Sequence, residues 1–227
     1  MIGHKIVGSG DQRERKVLSA RERAYDGIRA SILKGAFTPG GFIEEAMACE
    51  LTGVSRTPVR EAIARLVSEG LVTRSQGGVP VVNQISISEI IEILHVRRLL
   101  ECEAARQAAS VNSPVEPLLE LRARTRAALE GARPGPGEHA DLDEELHTTI
   151  ARIAGSKLLT ELVQSLKLKT RIFDKGFIPD RFEPGLHEHL EILDAILARD
   201  SDRAGEAMRR HLDNVREAIL THIHRLY

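Results

Sequence analysis

Cysteine is scarce in this chain, and long apolar runs are missing. The two cysteines, Cys49 and Cys102, each stand in an apolar helical pattern, so they indicate reduced core thiols and exclude a disulfide framework. No apolar run approaches the length of a membrane span, and the polar, glycine-rich start has no secretory segment. We therefore expect a cytoplasmic protein with no membrane partner, in which residues 1–17 form a disordered tail.

Net charge is also nearly absent, at −1 over 227 residues. This balance neither indicates nor excludes a nucleic-acid partner, but the distribution of charge is informative. Residues 1–82 carry 12 basic side chains against 9 acidic ones, whereas the remainder carries 20 against 24. A basic excess in the N-terminal part suits a segment that meets phosphates.

The N-terminal part has the pattern of three helices and a hairpin. Helices are predicted over residues 19–34, over residues 44–51, and from Ser55 or Thr57 to Glu69. Two short extended runs follow, separated by Gly77 and Gly78. This order predicts a winged helix-turn-helix over residues 18–82 with a β-hairpin wing, and residues 83–86 form the predicted linker.

Strand-like alternation is missing after Val82, so residues 87–227 are predicted to form an all-α bundle of about six helices. The fold class is therefore mainly α. In the first of these helices, Leu94, Leu99 and Cys102 mark an apolar stripe, and we expect that helix to be followed by a break at Pro114 and Pro117. The later helices are predicted over residues up to 130, then 139–154, 156–173, 184–199 and 201–224.

The stretch GVSRTPVREAI, residues 53–63, places two arginines at the front of a predicted helix. Free amides make that end weakly positive, so an external anion is the obvious compensation. Val59, Ile63 and Leu66 form the buried stripe, and the side chains off it near the N-terminus are Arg56, Thr57, Arg60 and Glu61. Recognition helices present this end to base edges. The alternative is a small helical subdomain with an arginine-rich solvated face.

GVSRTPVREAI, followed by EGLV and the Gly-Gly hairpin and preceded by KGAFTPGGFIEE, closely resembles the GntR family of bacterial winged-helix repressors over about residues 18–82. The resemblance implies DNA contacts from Ser55, Arg56, Thr57, Arg60, Gln76 and Gly77. Ala46 stands where the family sometimes has an arginine, so one contact is expected to be missing. Because one head reads only a short half-site, a homodimer on a palindromic operator is expected.

Four polar side chains stand in apolar stripes of the second domain. Asp143 and His147 are four residues apart and share one helical face, while His189 and His211 lie among apolar residues of two later helices. Each histidine alone is more often a hydrogen-bonded core residue, but burying all four groups costs several kcal/mol unless they share a partner. A divalent metal, namely zinc, nickel, manganese or iron, suits these donors.

The segments EIIEILHVRRLLECEAARQAA, DEELHTTIA and HEHLEILDAILARDSDRAGEAMRRHL resemble the ligand-binding FCD domain of the FadR subfamily over about residues 86–222. The resemblance implies that Asp143, His147, His189 and His211 hold a metal, with zinc as the preferred ion, and that the effector is a small carboxylic acid or sugar acid. Arg97 is then a candidate partner of the effector carboxylate, and its alternative is a salt bridge to Glu101. Asn214 is a weaker candidate.

These patterns predict a metabolite-responsive, DNA-binding transcriptional regulator, with repression as the preferred mode. Two alternatives remain for the helical domain: a metal-dependent enzyme, because an Asp/His₃ site with open positions also activates water, and a purely structural metal site. No HExxH motif is present, and Glu144 and Glu145 turn away from the face of Asp143 and His147. We therefore predict no enzymatic activity.

Overall fold

The computed structural model describes residues 18–110, 115–131, 134–174, 178 and 180–226, apart from the side chains of Pro136, Arg225 and Leu226. The predicted tail, residues 1–17, lies outside this range. The elements in chain order are α1 (Ala20–Leu33), α2 (Glu45–Thr52), α3 (Arg56–Ser68), β1 (Val72–Arg74), β2 (Pro80–Val82), α4 (Ile87–Ser110), α5 (Glu116–Glu130), α6 (Pro136–Ile153), α7 (Lys157–Asp174), α8 (Phe182–Leu197) and α9 (Ser201–Leu226).

The first three helices and the hairpin form one unit, the N-terminal head. Ser19 begins α1 with a full capping box to Glu22, and Gly53 ends α2 in the left-handed conformation at φ 65°. The apolar faces of the three helices meet in a core that includes Ile28, Ile63 and Leu66. The mainly α class and the helix-turn-helix predicted from the sequence are confirmed.

The wing of the head is an antiparallel pair of short strands. Val72 pairs with Val82 and Arg74 with Pro80, and the turn between the strands uses Gly78 at φ 76°. Positive φ favours glycine because other residues meet a Cβ clash there. An isolated bridge between Phe42 and Val81 adds a contact that the sequence did not predict.

Helices α4 to α9 form the C-terminal bundle, as predicted. Helix α4 buries the line Ile90, Leu94, Arg97 and Glu101, which follows the three- and four-residue spacing of one helix face. The predicted stripe was wrong at Leu99, which is 57% exposed. Hydrophobicity alone placed Leu99 on the inner face, whereas two charged residues occupy that face.

Two prolines, at the starts of α5 and α6, lie inside helices that the sequence predicted to begin after them. Pro117 lies in the first turn of α5, and α6 begins at Pro136. First-turn amides have no intrahelical partner, so proline is tolerated there. Helix α4 ends at Ser110 and α5 begins at Glu116, so the two helices are separate as predicted, but Pro117 belongs to the first turn of α5 and not to the break. Pro114 lies outside the described residues. Within the described part of the chain, no helix is long and apolar enough to cross a membrane.

Helix α7 joins the bundle to the head. Leu168 and Ile172 of α7 are buried in the same cluster as the core of the head. Arg29 of α1 forms an ion pair with Glu144 of α6, and Glu144 also accepts a 2.8 Å hydrogen bond from Arg171 of α7. The two parts of the chain are therefore connected by an apolar contact and by a charged triad.

Candidate metal centre, cavity and DNA-binding face

Four potential metal ligands from three helices converge at the centre of the bundle. Asp143 and His147 come from α6, His189 from α8 and His211 from α9, and one ligand atom of each lies within 4.8 Å of the others. The nearer Asp143 oxygen, Oδ1, is 3.4 Å from Nε2 of both His147 and His189. The inner faces of three packed helices thus bring together the four residues that the sequence singled out.

The imidazoles are buried and incompletely hydrogen-bonded. His147, His189 and His211 are 1–3% exposed. Nε2 of His147 and both ring nitrogens of His189 have no hydrogen-bond partner among the described residues. A buried polar atom left without a partner costs about 1–3 kcal/mol. Imidazole nitrogens around one carboxylate are donors that a divalent transition metal accepts, so the residues present fit such an ion.

Two carboxylates orient two of the rings. Glu101 contacts Nδ1 of His147, and Glu188 lies 2.9 Å from Nδ1 of His211. With Nδ1 donating to a carboxylate, Nε2 of each ring presents its lone pair to the cluster, as in many metalloproteins. His189 has no such carboxylate among the described residues.

The titration behaviour of the rings favours ligation at neutral pH. Burial lowers the pKa of His211 to about 4, and burial together with the neighbouring His211 holds the pKa of His189 well below its ordinary value. Burial also disfavours the charged form of His147, but the carboxylates of Glu101 and Asp143 together outweigh it and raise the pKa of His147. At least two of the three rings are therefore neutral at pH 7, with lone pairs available.

A small cavity of about 70 Å³ opens beside these donors. His189 and His211 form part of its wall, and four cationic side chains line it: Arg97, Lys167, Arg171 and Arg181. A concave site with converging positive groups is suited to a small anion.

Arg97 and Asn214, the two predicted effector-binding residues, are both engaged within the protein. Arg97 donates to Glu101 at 2.7 Å and to Thr170 at 3.3 Å, so the alternative salt bridge exists although Arg97 still lines the cavity. Asn214 donates to Glu188 at 2.8 Å and is not among the described residues that line the cavity. A direct effector contact from Asn214 is therefore not supported by its position.

Several residues of the site were not predicted. Lys167 contacts Asp143, Arg181 and Glu188 form an ion pair, and His139 lines the cavity. The sequence did carry a signal for Lys167, because its spacing from Val163 and Thr170 puts a lysine on the same helix face as an apolar residue. In the structure all three residues are buried. No sequence signal pairs Glu188 with His211, since that contact depends on the angle between α8 and α9.

The predicted DNA-binding residues are all exposed on the surface of the head. Ser55, Arg56, Thr57 and Arg60 are exposed at the N-terminal end of α3, and Gln76 and Gly77 are exposed in the turn of the wing. Ser55 occupies the N-cap position without a side-chain capping bond. Arg60 pairs with Glu45 at 2.9 Å, but its side chain is 65% exposed, so it remains available to an external anion.

Comparison with known proteins gives consistent matches along both parts of the chain. The family described as bacterial regulatory proteins, gntR family, matches residues 20–82, and the FCD domain matches residues 92–214. The HTH-type transcriptional repressor RspR of Escherichia coli K12 is 30% identical over 206 residues, which cover 87% of this chain and 88% of RspR.

Solved structures agree in fold. E. coli McbR/YncC superimposes with a TM-score of 0.73 at 19% identity, covering 91% of this chain and all of that one. A GntR regulator from Rhodococcus sp. RHA1 superimposes with a TM-score of 0.68 at 26% identity, covering 90% of this chain and 99% of that one.

Proposed function

The chain belongs to the GntR family of bacterial transcriptional regulators with an FCD domain, and from this premise we propose that a divalent metal and a small organic acid control its binding to operator DNA. Membership of the family makes it a regulator and not an enzyme. The observation that carries the proposal is the convergence of Asp143, His147, His189 and His211 beside a cavity lined by cations.

Asp143, His147, His189 and His211 hold the metal in this proposal, with zinc as the preferred ion. When bound, a divalent ion supplies positive charge and open coordination positions for an anionic ligand. Glu101 and Glu188 fix the ring orientations of His147 and His211 through their Nδ1 atoms. The cationic wall of the cavity selects a carboxylic acid or sugar acid over a neutral molecule.

Operator DNA is contacted by the N-terminal end of α3 and by the wing. Arg56 and Arg60 are long, exposed cations at a helix N-terminus, where a phosphate or a guanine edge is a favourable partner. We assign Ser55, Thr57, Gln76 and Gly77 to the same surface. A head of this size reads one half-site, so we propose a homodimer on a palindromic operator, acting in the cytoplasm as a repressor.

The signal from the cavity to the head passes through α7 in this account. Lys167 and Thr170 of α7 face the cavity, while Leu168 and Ile172 pack in the core of the head. An effector shifts the position of the heads only if it binds one arrangement better than the other, since equal affinity shifts nothing. A ligand that moves α7 against α6 also strains the triad of Arg29, Glu144 and Arg171.

A screen of small organic acids tests the proposal. Full-length protein is freed of metal with a chelator and reloaded with zinc, and its thermal stability and its affinity for DNA selected from a random pool are measured with each acid. The proposal expects an acid that stabilises the zinc-loaded protein and changes its DNA affinity. If zinc removal melts the bundle while no acid changes DNA affinity, the metal is structural; turnover of an acid would indicate an enzyme.

A further inference from the structure

Lys167 is a buried lysine whose partner is one of the candidate metal ligands. Its residue exposure is 7%, and its ammonium group contacts Oδ2 of Asp143. Lysine is rarely buried without a paired charge, because removing the ammonium from water is costly. The side chain one turn earlier on the same face is the fully buried, apolar Val163, so general packing gives no reason for a cation at this position.

The other cations of the cavity have partners outside the set of four metal donors. Arg97 pairs with Glu101, Arg171 with Asp141 and Glu144, and Arg181 with Glu188. Among the described cations of the cavity wall, Lys167 is therefore the one that shares its carboxylate with the metal site. An ion bound at the metal site therefore weakens the pairing of Lys167 with Asp143 directly, whereas the ion pairs of the three arginines do not involve a metal ligand carboxylate.

We infer that Lys167 is the anion anchor of the cavity: it neutralises Asp143 when the metal site is empty and binds the carboxylate of the ligand when the site is filled. This inference rests on the proposed metal site. Lys167 and a divalent ion compete for the charge of Asp143, so the ammonium weakens metal binding when no anion is present. An anion that satisfies Lys167 removes this penalty, and metal and anion bind cooperatively.

Arg97, the cation that the sequence suggested for this role, is less suited to it. It is 1% exposed and donates to Glu101 and Thr170. Moving it onto a ligand would leave the Glu101 carboxylate buried with only His147 as a partner. Lys167 has a flexible unbranched stem and three donors on a compact ammonium, so it turns from Asp143 to a ligand with less rearrangement.

Isothermal titration of zinc into metal-free, full-length protein tests the inference. Titrations are run without additive, with succinate and with its neutral analogue succinamide, on the wild type, on Lys167→Met and on the control Lys157→Met. Lys157 lies on the same helix with its side chain 92% exposed. Succinate is expected to tighten zinc binding to the wild type and to Lys157→Met about tenfold, a typical coupling between sites, whereas succinamide has no effect.

Lys167→Met is expected to bind zinc alone more tightly than the wild type and to lose the response to succinate. Lys167→Gln, which keeps a polar group without the charge, should behave in the same way, so the result does not depend on one variant folding. A wild type that binds zinc without any response to succinate, or a Lys167 variant that keeps the full response, overturns the role of Lys167 while the metal site stands. A wild type that binds no zinc overturns both.

Discussion

Glu101→Gln perturbs a fully buried ion pair of the bundle and gives the sharpest test of how the site is supported. Glu101 and Arg97 each have side chains 1% exposed and are joined at 2.7 Å, and Glu101 also contacts His147. The amide removes the negative charge but keeps the volume, so Arg97 is left as a buried cation without a carboxylate. Breaking a buried pair from one side costs about 3–5 kcal/mol.

The matched control is Glu161→Gln on α7. Glu161 also forms an i,i+4 pair, with Lys157 at 3.8 Å, but both side chains are largely exposed. Such surface pairs contribute about 0–1 kcal/mol. Urea unfolding of chelator-treated protein, followed by circular dichroism, measures both variants against the wild type. If the two variants lose the same small amount of stability, the reasoning that makes Glu101 a structural support of the site is refuted.

The pH dependence of the Glu101 effect follows from its pKa. Burial alone would raise the pKa of Glu101, but Arg97 and His147 outweigh burial and hold it below its ordinary value of 4.5. The folded state therefore binds fewer protons than the unfolded state, so the contribution is present above about pH 4.5 and is lost as the pH falls further. The difference in free energy of unfolding between the wild type and Glu101→Gln should therefore become smaller as the pH falls below about 4.5. The same variant should bind zinc about 10–100-fold more weakly, because the carboxylate orients His147.

Three further predictions concern the DNA face, the link between head and bundle, and the buried rings. Arg60→Ala should abolish sequence-specific operator binding in a gel-shift assay without changing the melting temperature, whereas Arg126→Ala on α5 should bind normally; near wild-type binding by Arg60→Ala would reject the assignment. Glu144→Gln loses the ion pairs with Arg29 and Arg171 that join the head to the bundle. This variant should bind zinc normally, but acids should change its DNA affinity less than they change that of the control Glu145→Gln. An equal effect of acids on both variants would exclude a role of these ion pairs in the coupling. Because burial lowers the pKa of His211 from 6.5 to about 4, this ring alone should remove about 3 kcal/mol of stability from the metal-free protein as the pH falls from about 6.5 to about 4. Urea titrations that give the same decline for His211→Gln would contradict this origin.

The parts of the structure that the sequence predicted are those encoded by local spacing. The apolar period of the helices, the start of the first helix near Ser19 and the glycine turn of the wing each depend on residues close together in the chain. The four candidate metal ligands could also be predicted from the sequence, because a polar residue in an apolar stripe is conspicuous and Asp143 and His147 share one face of α6.

The residues that the sequence did not predict depend on how helices cross. Glu188 meets His211 because α8 and α9 pack together, and Lys167 meets Asp143 because α7 lies against α6. In the same way, the exposure of Leu99 follows from the rotation of α4, whose inner face carries Arg97 and Glu101. Periodicity identifies a face but not the partner that covers it.

X-ray absorption at the zinc edge, on full-length protein loaded with one equivalent of zinc, tests the central claim most directly. The account predicts a first shell with three imidazole nitrogens and a carboxylate oxygen at about 2.0–2.2 Å, and loss of one imidazole in His189→Ala. A shell without imidazoles, or one that His189→Ala leaves unchanged, would contradict the claim that Asp143, His147, His189 and His211 form a metal site.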